Sequence, residues 1–204
     1  MRNLTRIAAL LLAAACAAPV LTGCQKEPDF TKESELPYGA TMREDKTSFA
    51  VPMTYDRRFL DEEQVAAAAQ LMAAIQNADA DLYRETTFDF YADYQAGTVY
   101  RLDSVQDLMD SLHAAVAANS GEDFTFNMVL INGIASRQTS SYLSDAFDIL
   151  DQLRPDEKPS ESIEDAWDLT VEWDLAYDGG KSYTVVDEQH IFLFRYDGRY
   201  VCMM

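Results

Sequence analysis

The chain has 204 residues, with 35 Asp and Glu against 16 Lys and Arg, and a formal charge of −19. A surface this acidic repels phosphate backbones and anionic headgroups, which argues against nucleic-acid binding. The length past the N-terminal region fits one domain, and no internal repeat is visible.

Arg2 and Arg6 make a short positive region, and residues 7–18 follow without charge, mostly Ala and Leu. Pro19 breaks the run, and Leu21-Thr22-Gly23-Cys24 closes it. The apolar stretch is shorter than the roughly 20 residues a membrane-spanning helix needs. Charge, apolar stretch and small residues in that order are the pattern of a secretory signal. The last four residues closely resemble the bacterial lipobox: an aliphatic residue, two small ones, then Cys. The resemblance implies cleavage between Gly23 and Cys24, a lipid on the Cys24 thiol, and a membrane partner held through that lipid. Two or more acyl chains hold a protein stably where one does not. Gln25 stands where Asp commonly retains such proteins at an inner membrane, so the resemblance implies the outer membrane. Glu27 and Asp29 look like surface-export signals of some lipoproteins, and the periplasmic and outward-facing orientations both stay open.

Removing residues 1–23 takes Arg2 and Arg6 and no acid, which moves the formal charge from −19 to −21. Cys16 leaves with the signal and Cys24 carries the lipid, so Cys202 has no partner for an intramolecular disulfide. Cys202 therefore reads as a small buried hydrophobe.

Residues 25–58 are polar, contain Pro28, Pro37 and Pro52, and show no helical period. They read as a tether, giving a signal peptide at 1–23, a tethered segment at 24–58 and a folded domain at 59–204. Asp61 with Gln64 forms a capping box, and Val65, Ala68, Leu71, Met72 and Ile75 make the stripe of a first helix. A second helix is predicted over about 80–95, with Leu82, Phe90, Tyr91 and Tyr94, stopped by Gly97. Residues 98–102 read as a short strand. Ser104 caps a third helix with Val105, Leu108, Met109, Leu112 and Val116 on one face, ended at residues 119–121. Residues 124–131 read as a strand with Phe124, Phe126, Met128 and Leu130 on one side. A fourth helix begins at Ser141 with Tyr142, Ala146, Ile149, Leu150 and Leu153, followed by a charged loop over 154–162.

The last forty residues carry the strongest periodicity. Trp167, Leu169, Val171, Trp173, Leu175 and Tyr177 alternate with polar residues and Ala176, the pattern of a half-buried strand. Gly179-Gly180 turns the chain, residues 182–196 form the next strand, and Asp197-Gly198 is a tight hairpin signal. A three-residue loop at the first turn is favoured by apolar matching, pairing Tyr177 with Tyr183, Leu175 with Val185 and Leu169 with Ile191. A two-residue loop would set Leu175 against Thr184. At the second turn Phe194 faces Val201, Phe192 faces Met203, Leu193 faces Cys202 and Arg195 faces Tyr200. Both faces of this hairpin are apolar, so it is predicted to be central in the sheet, with its second face lining a pocket or an interface such as a homodimer.

Helices first and a long antiparallel meander last make an α+β plan, with N-terminal helices packed on a curved antiparallel sheet. The run at 74–81 between two helices and the ending Phe192-Leu193-Phe194-Arg195-Tyr196-Asp197-Gly198-Arg199-Tyr200-Val201 resemble the NTF2-like (SnoaL-like, cystatin-like) superfamily. That resemblance implies a curved sheet around a helix-lined cone. The fourth helix and its long loop depart from the usual plan. The superfamily holds isomerases, dehydratases and non-catalytic binding modules, so the fold does not choose an activity.

Asn77, Asp79 and Asp81 alternate like the start of a calcium loop, but Leu82 and Phe88 stand where Gly and Glu are required, and a helix-junction turn is the better account. His113 and His190 are the only histidines, and no paired metal or nucleophile motif accompanies them, so no metal or cofactor is expected. His190 sits in an aromatic setting beside Phe192 and could act as acid or base, although no partner is assignable. The aromatic residues Tyr91, Tyr94, Trp167 and Trp173 read first as core. The candidate pocket lining is Tyr91, Tyr94, Trp173, His190, Phe192 and Phe194. The leading expectation is a non-catalytic envelope lipoprotein that binds a small molecule or protein. An isomerase or hydrolase and a structural subunit of an envelope assembly are the alternatives.

Overall fold

Apolar residues at period two hide in the stretch before the first helix: Val51, Met53 and Tyr55 are each 1% exposed. They belong to a sheet, and the folded region begins earlier than the sequence reading placed it. The computed structural model describes residues 42–204, with backbone alone at 185–188. The expected signal segment, Cys24 and the expected tether through residue 41 lie outside the described residues. Within them, β1 (Arg43–Lys46) and β2 (Met53–Asp56) pair antiparallel. The expected tether to residue 58 is therefore corrected: residues 43–46 and 53–56 are strands. Pro52 precedes β2, where its missing N–H interrupts no ladder.

Four helical segments follow. Helix α1 (Glu62–Asn77) opens on the expected capping box, Asp61 and Gln64 each accepting from the other's backbone N–H. Its C-cap, Ala78, is left-handed with φ 50°. The carboxylate of Asp79 then accepts from Leu82 N at 3.0 Å and starts α2 (Ala80–Thr86), so the acidic run serves as a helix junction. The single helix expected over 80–95 is broken. Thr87 turns extended, and α3 (Asp89–Tyr94) starts afresh and runs into a π-helical turn (Gln95–Val99). Thr87 leaves the helix because its hydroxyl donates to Cys202 O at 2.6 Å, a stronger claim than one more helical turn. The strand expected at 98–102 does not form. Val99 and Tyr100 have strand-like composition but are 53% and 47% exposed, with no neighbour to pair. Helix α4 (Val105–Ser120) is capped by Ser104 and ends before Gly121, as predicted.

β3 (Thr125–Ser136) pairs parallel with β2 and antiparallel with β4 (Ile163–Tyr177). A bulge between Phe126 and Met128 reverses the expected facing: Phe126, Val129 and Ile131 are buried, while Met128 and Leu130 turn to the other side. A second irregularity follows at Gly133, where an added Cβ would lie 3.0 Å from Thr170 Oγ1. Glycine there lets β3 approach β4. Between these strands, α5 (Ser141–Leu153) and the short α6 (Pro159–Ser162) leave the sheet.

β5 (Lys181–Tyr196) and β6 (Arg199–Met203) complete a curved, unclosed six-stranded sheet in sequential order. Leu169 pairs with Ile191 as expected, but the three-residue loop spans 178–180, one residue earlier than the expected pairing places it. Nearer the turn the register differs: Tyr177 meets Lys181, Leu175 meets Tyr183 and Trp173 meets Val185. A bulge between Val171 and Trp173 absorbs the offset. The β5–β6 pairs all occur as predicted.

The sheet carries two cores. Leu169, Val171, Ile191 and Leu193 face α1 and α4 in the larger one. Ala166, Phe194, Val201 and Met203 face Phe147 and Leu150 of α5 and Phe88 before α3 in the other. The hairpin thus has apolar cover on both faces, as its composition required, but two expectations about it are corrected. β6 is an edge strand, and its second face is covered by α5 and the start of α3, not by a ligand or another subunit.

Candidate functional site

The larger core does not close at one end. Between α1, α4 and the concave face of β3–β5 lies an open cleft of about 280 Å³. Met72 and Ile75 reach it from α1, and Leu112 and Val116 from α4, all on the helical stripes that period 3.6 picks out. Phe126, Trp173 and Leu175 form its floor. Ala115 and Asn119 on α4 and Tyr183 on β5 are exposed residues at the rim. Gln189 and Met204 complete the lining, which among the described residues includes no Asp, Glu, His, Lys or Arg side chain. Trp173 meets the Phe126 ring edge-on at 5.8 Å. Its Nε1 is buried and has no hydrogen-bond partner among the described residues.

Met204 is fixed from behind. Gln95 is turned inward at the start of the π-helical turn, and its Nε2 donates to Met204 O at 2.7 Å and to the Tyr91 oxygen at 3.0 Å. Tyr91 itself donates to Met204 O at 3.0 Å, and Tyr83 donates to Gln95 Oε1. Burial pushes both phenols well above their usual range, so they remain neutral donors. The network holds the end of the chain against the cleft wall.

Of the six residues predicted to line a pocket, Trp173 alone lines this cleft. Tyr91 and Phe194 are in the second core, and Tyr94 and Phe192 pack against it. The reason is strand parity. Trp173 lies on the β4 face that carries Leu169 and Val171, whereas Phe192 and Phe194 sit on the opposite face of β5.

His190 belongs to that opposite face too, and it has a partner. Its Nδ1 lies 2.6 Å from Asp168 Oδ1, while Ser140 Oγ donates to Asp168 Oδ2 at 2.5 Å. Asp168 is 4% exposed. Ser140 is also the N-cap of α5, accepting from Leu143 N, so one carboxylate joins the strand pair to the helix that covers it. The His190 ring lies between Tyr142, at 4.7 Å, and Phe192, at 6.2 Å. With Asp168 accepting from Nδ1–H, the neutral imidazole would present Nε2 as an acceptor, the arrangement of an oriented base. The sheet separates this pair from the cleft, so an occupant of the cleft does not meet it. His113 has a structural role: its Nδ1 is 2.9 Å from Gln76 O at the end of α1.

Comparison with protein families, with characterised proteins and with solved structures gives no match.

Proposed function

We propose that this chain is a lipid-anchored envelope protein whose domain binds a small, mainly apolar ligand in the cleft between α1, α4 and the sheet. One observation carries the reading: the core opens into a solvent-accessible cleft whose lining is mainly apolar and, among the described residues, has no carboxylate, imidazole or basic side chain. Apolar walls with a few polar groups at the rim are the usual form of a ligand site. An acid–base enzyme needs a titratable group within reach of its substrate, and the one such constellation found, His190 with Asp168, lies across the sheet. The volume is at the small end for ligand pockets, which matches a compact ligand. A curved sheet wrapped on helices agrees with the NTF2-like plan, whose ligand sites lie in the cone. The Leu21-Thr22-Gly23-Cys24 run supports attachment through Cys24 to the outer membrane.

Two experiments test this. Titration with 1-N-phenylnaphthylamine, which brightens in apolar sites, should saturate in the native chain and fail with Ala115→Trp, which fills the rim. Equal brightening in both would remove the cleft as the site. Mass spectrometry of the processed N-terminus should find a lipid-modified Cys24, and a mature terminus elsewhere would end the anchor assignment.

A further inference from the structure

The cleft's polar inventory says more about its occupant. We infer that the ligand is uncharged and carries one hydrogen-bond acceptor, a carbonyl or ether oxygen on an apolar body, that pairs with the indole N–H of Trp173. This rests on the cleft being a ligand site.

Trp173 is 8% exposed and forms part of the cleft floor. Its Nε1 can only donate, and it is the one buried side-chain polar atom among the described residues that lacks a partner. Buried donors left unpaired are rare in native folds, because desolvation is then uncompensated. The neighbours offer little remedy: the Phe126 ring meets the indole edge-on, and most of the lining is aliphatic, thioether or aromatic. An acceptor brought by the ligand would convert the penalty into binding energy.

Charge selects further. Among the described residues the lining holds no Lys, Arg or His to compensate a buried carboxylate or phosphate, and no Asp or Glu to hold a cation. The chain's overall charge of −19 disfavours an anion again. A neutral acceptor remains. Nε1 is covered by its neighbours, so the ligand must displace one to reach it. Met72 and Met204 line the same cleft, and unbranched thioethers shift at little cost.

The test uses the full chain labelled with ¹⁵N. Its two tryptophans give two indole N–H signals, and Trp173→Phe identifies which belongs to Trp173. The probes are 2-heptanone, heptane and heptanoate. The ketone should move the Trp173 indole proton downfield and bind about five-fold more tightly than heptane, the ratio expected of one neutral hydrogen bond. Trp173→Phe should erase that ratio while still binding both. If ketone and alkane bind equally and the indole signal stays put, the acceptor assignment fails and the cleft remains a ligand site. Heptanoate binding as tightly as the ketone would overturn the neutral character. If none of the three binds, the cleft reading itself fails. The wild-type indole shift decides the matter even if Trp173→Phe folds poorly.

Discussion

His190 Nδ1 and Asp168 Oδ1 lie 2.6 Å apart on adjacent strands, diagonal to each other, because Thr170 is the residue directly opposite His190. Among the described residues Asp168 is otherwise held by Ser140, the N-cap of the helix that closes the second core. Three segments far apart in sequence thus meet on one buried carboxylate. Asp168→Ala removes the acceptor of both partners at once, leaving the Ser140 hydroxyl with only the bond it accepts from Leu143 N and the half-buried imidazole without its carboxylate. It should lower unfolding stability by about 2–3 kcal/mol, read as an earlier urea midpoint. A midpoint equal to wild type would show that the triad contributes nothing to the fold.

A buried hydroxyl ties the outer edge of β6 to the helices. Thr87 is fully buried and donates to Cys202 O at 2.6 Å. Thr87→Val keeps the shape and removes the donor, leaving a buried carbonyl unpaired. A loss of about 1–2 kcal/mol is expected, with faster amide exchange concentrated in residues 199–203. Exchange unchanged in β6 would contradict the proposed capping role.

Acid should weaken the first strand pair through Asp56. The Arg58 guanidinium, followed by the backbone N–H groups of Arg58 and Met42, holds this carboxyl below its usual value of 3.8. A lowered folded-state value means the stabilisation is complete above 3.8 and is lost as pH falls through the lower folded value. Asp56→Asn should therefore be less stable than wild type at neutral pH, and the gap should close below pH 3.8. Parallel stability curves from neutral to pH 2 would contradict it.

Cys202 is fully buried, and desolvation pushes its thiol up to about 12. The thiolate is the reactive form. In a chain carrying Cys16→Ala and Cys24→Ala, Ellman's reagent should therefore leave the native protein unlabelled at pH 8 and modify one thiol in urea. Rapid labelling without denaturant would place Cys202 at the surface.

What was legible in the sequence follows from the range of the forces involved. Caps at Asp61 and Ser104, the stripes of α1 and α4, and the β5–β6 register are set by residues a few positions apart, and all are as expected. The β1–β2 pair is not legible because each strand has only four residues and the apolar alternation of Val51, Met53 and Tyr55 is short and sits in a polar stretch with Pro52. The break at Thr87 depends on Cys202, 115 residues away, which no local pattern announces. The bulge at Phe126 puts Met128 and Leu130 on the face opposite to the one strict alternation assigns, and the irregularity at Val171 shifts the register toward the turn without changing faces. The His190 partner was within reach: the predicted Leu169–Ile191 pair places Thr170 against His190 and Asp168 beside it. Trp173 is a candidate lining residue in the sequence, but the other five candidates share the opposite core or its border: strand parity separates His190, Phe192 and Phe194 from it, and the packing of α3 separates Tyr91 and Tyr94. The helical half of the cleft, Met72, Ile75, Leu112 and Val116, was read as core stripe because nothing local distinguishes a stripe that packs from one that ends at an opening.

The claim that the cleft holds a ligand is tested most directly by the methionine methyl groups. With ¹³C-methyl methionine in the full chain, adding 1-N-phenylnaphthylamine should shift Met72 and Met204, which line the cleft, and leave Met53 and Met109, buried away from it, unmoved. The shifts should disappear with Ala115→Trp. Saturating probe that leaves Met72 and Met204 in place, or that moves them equally in Ala115→Trp, would contradict the assignment.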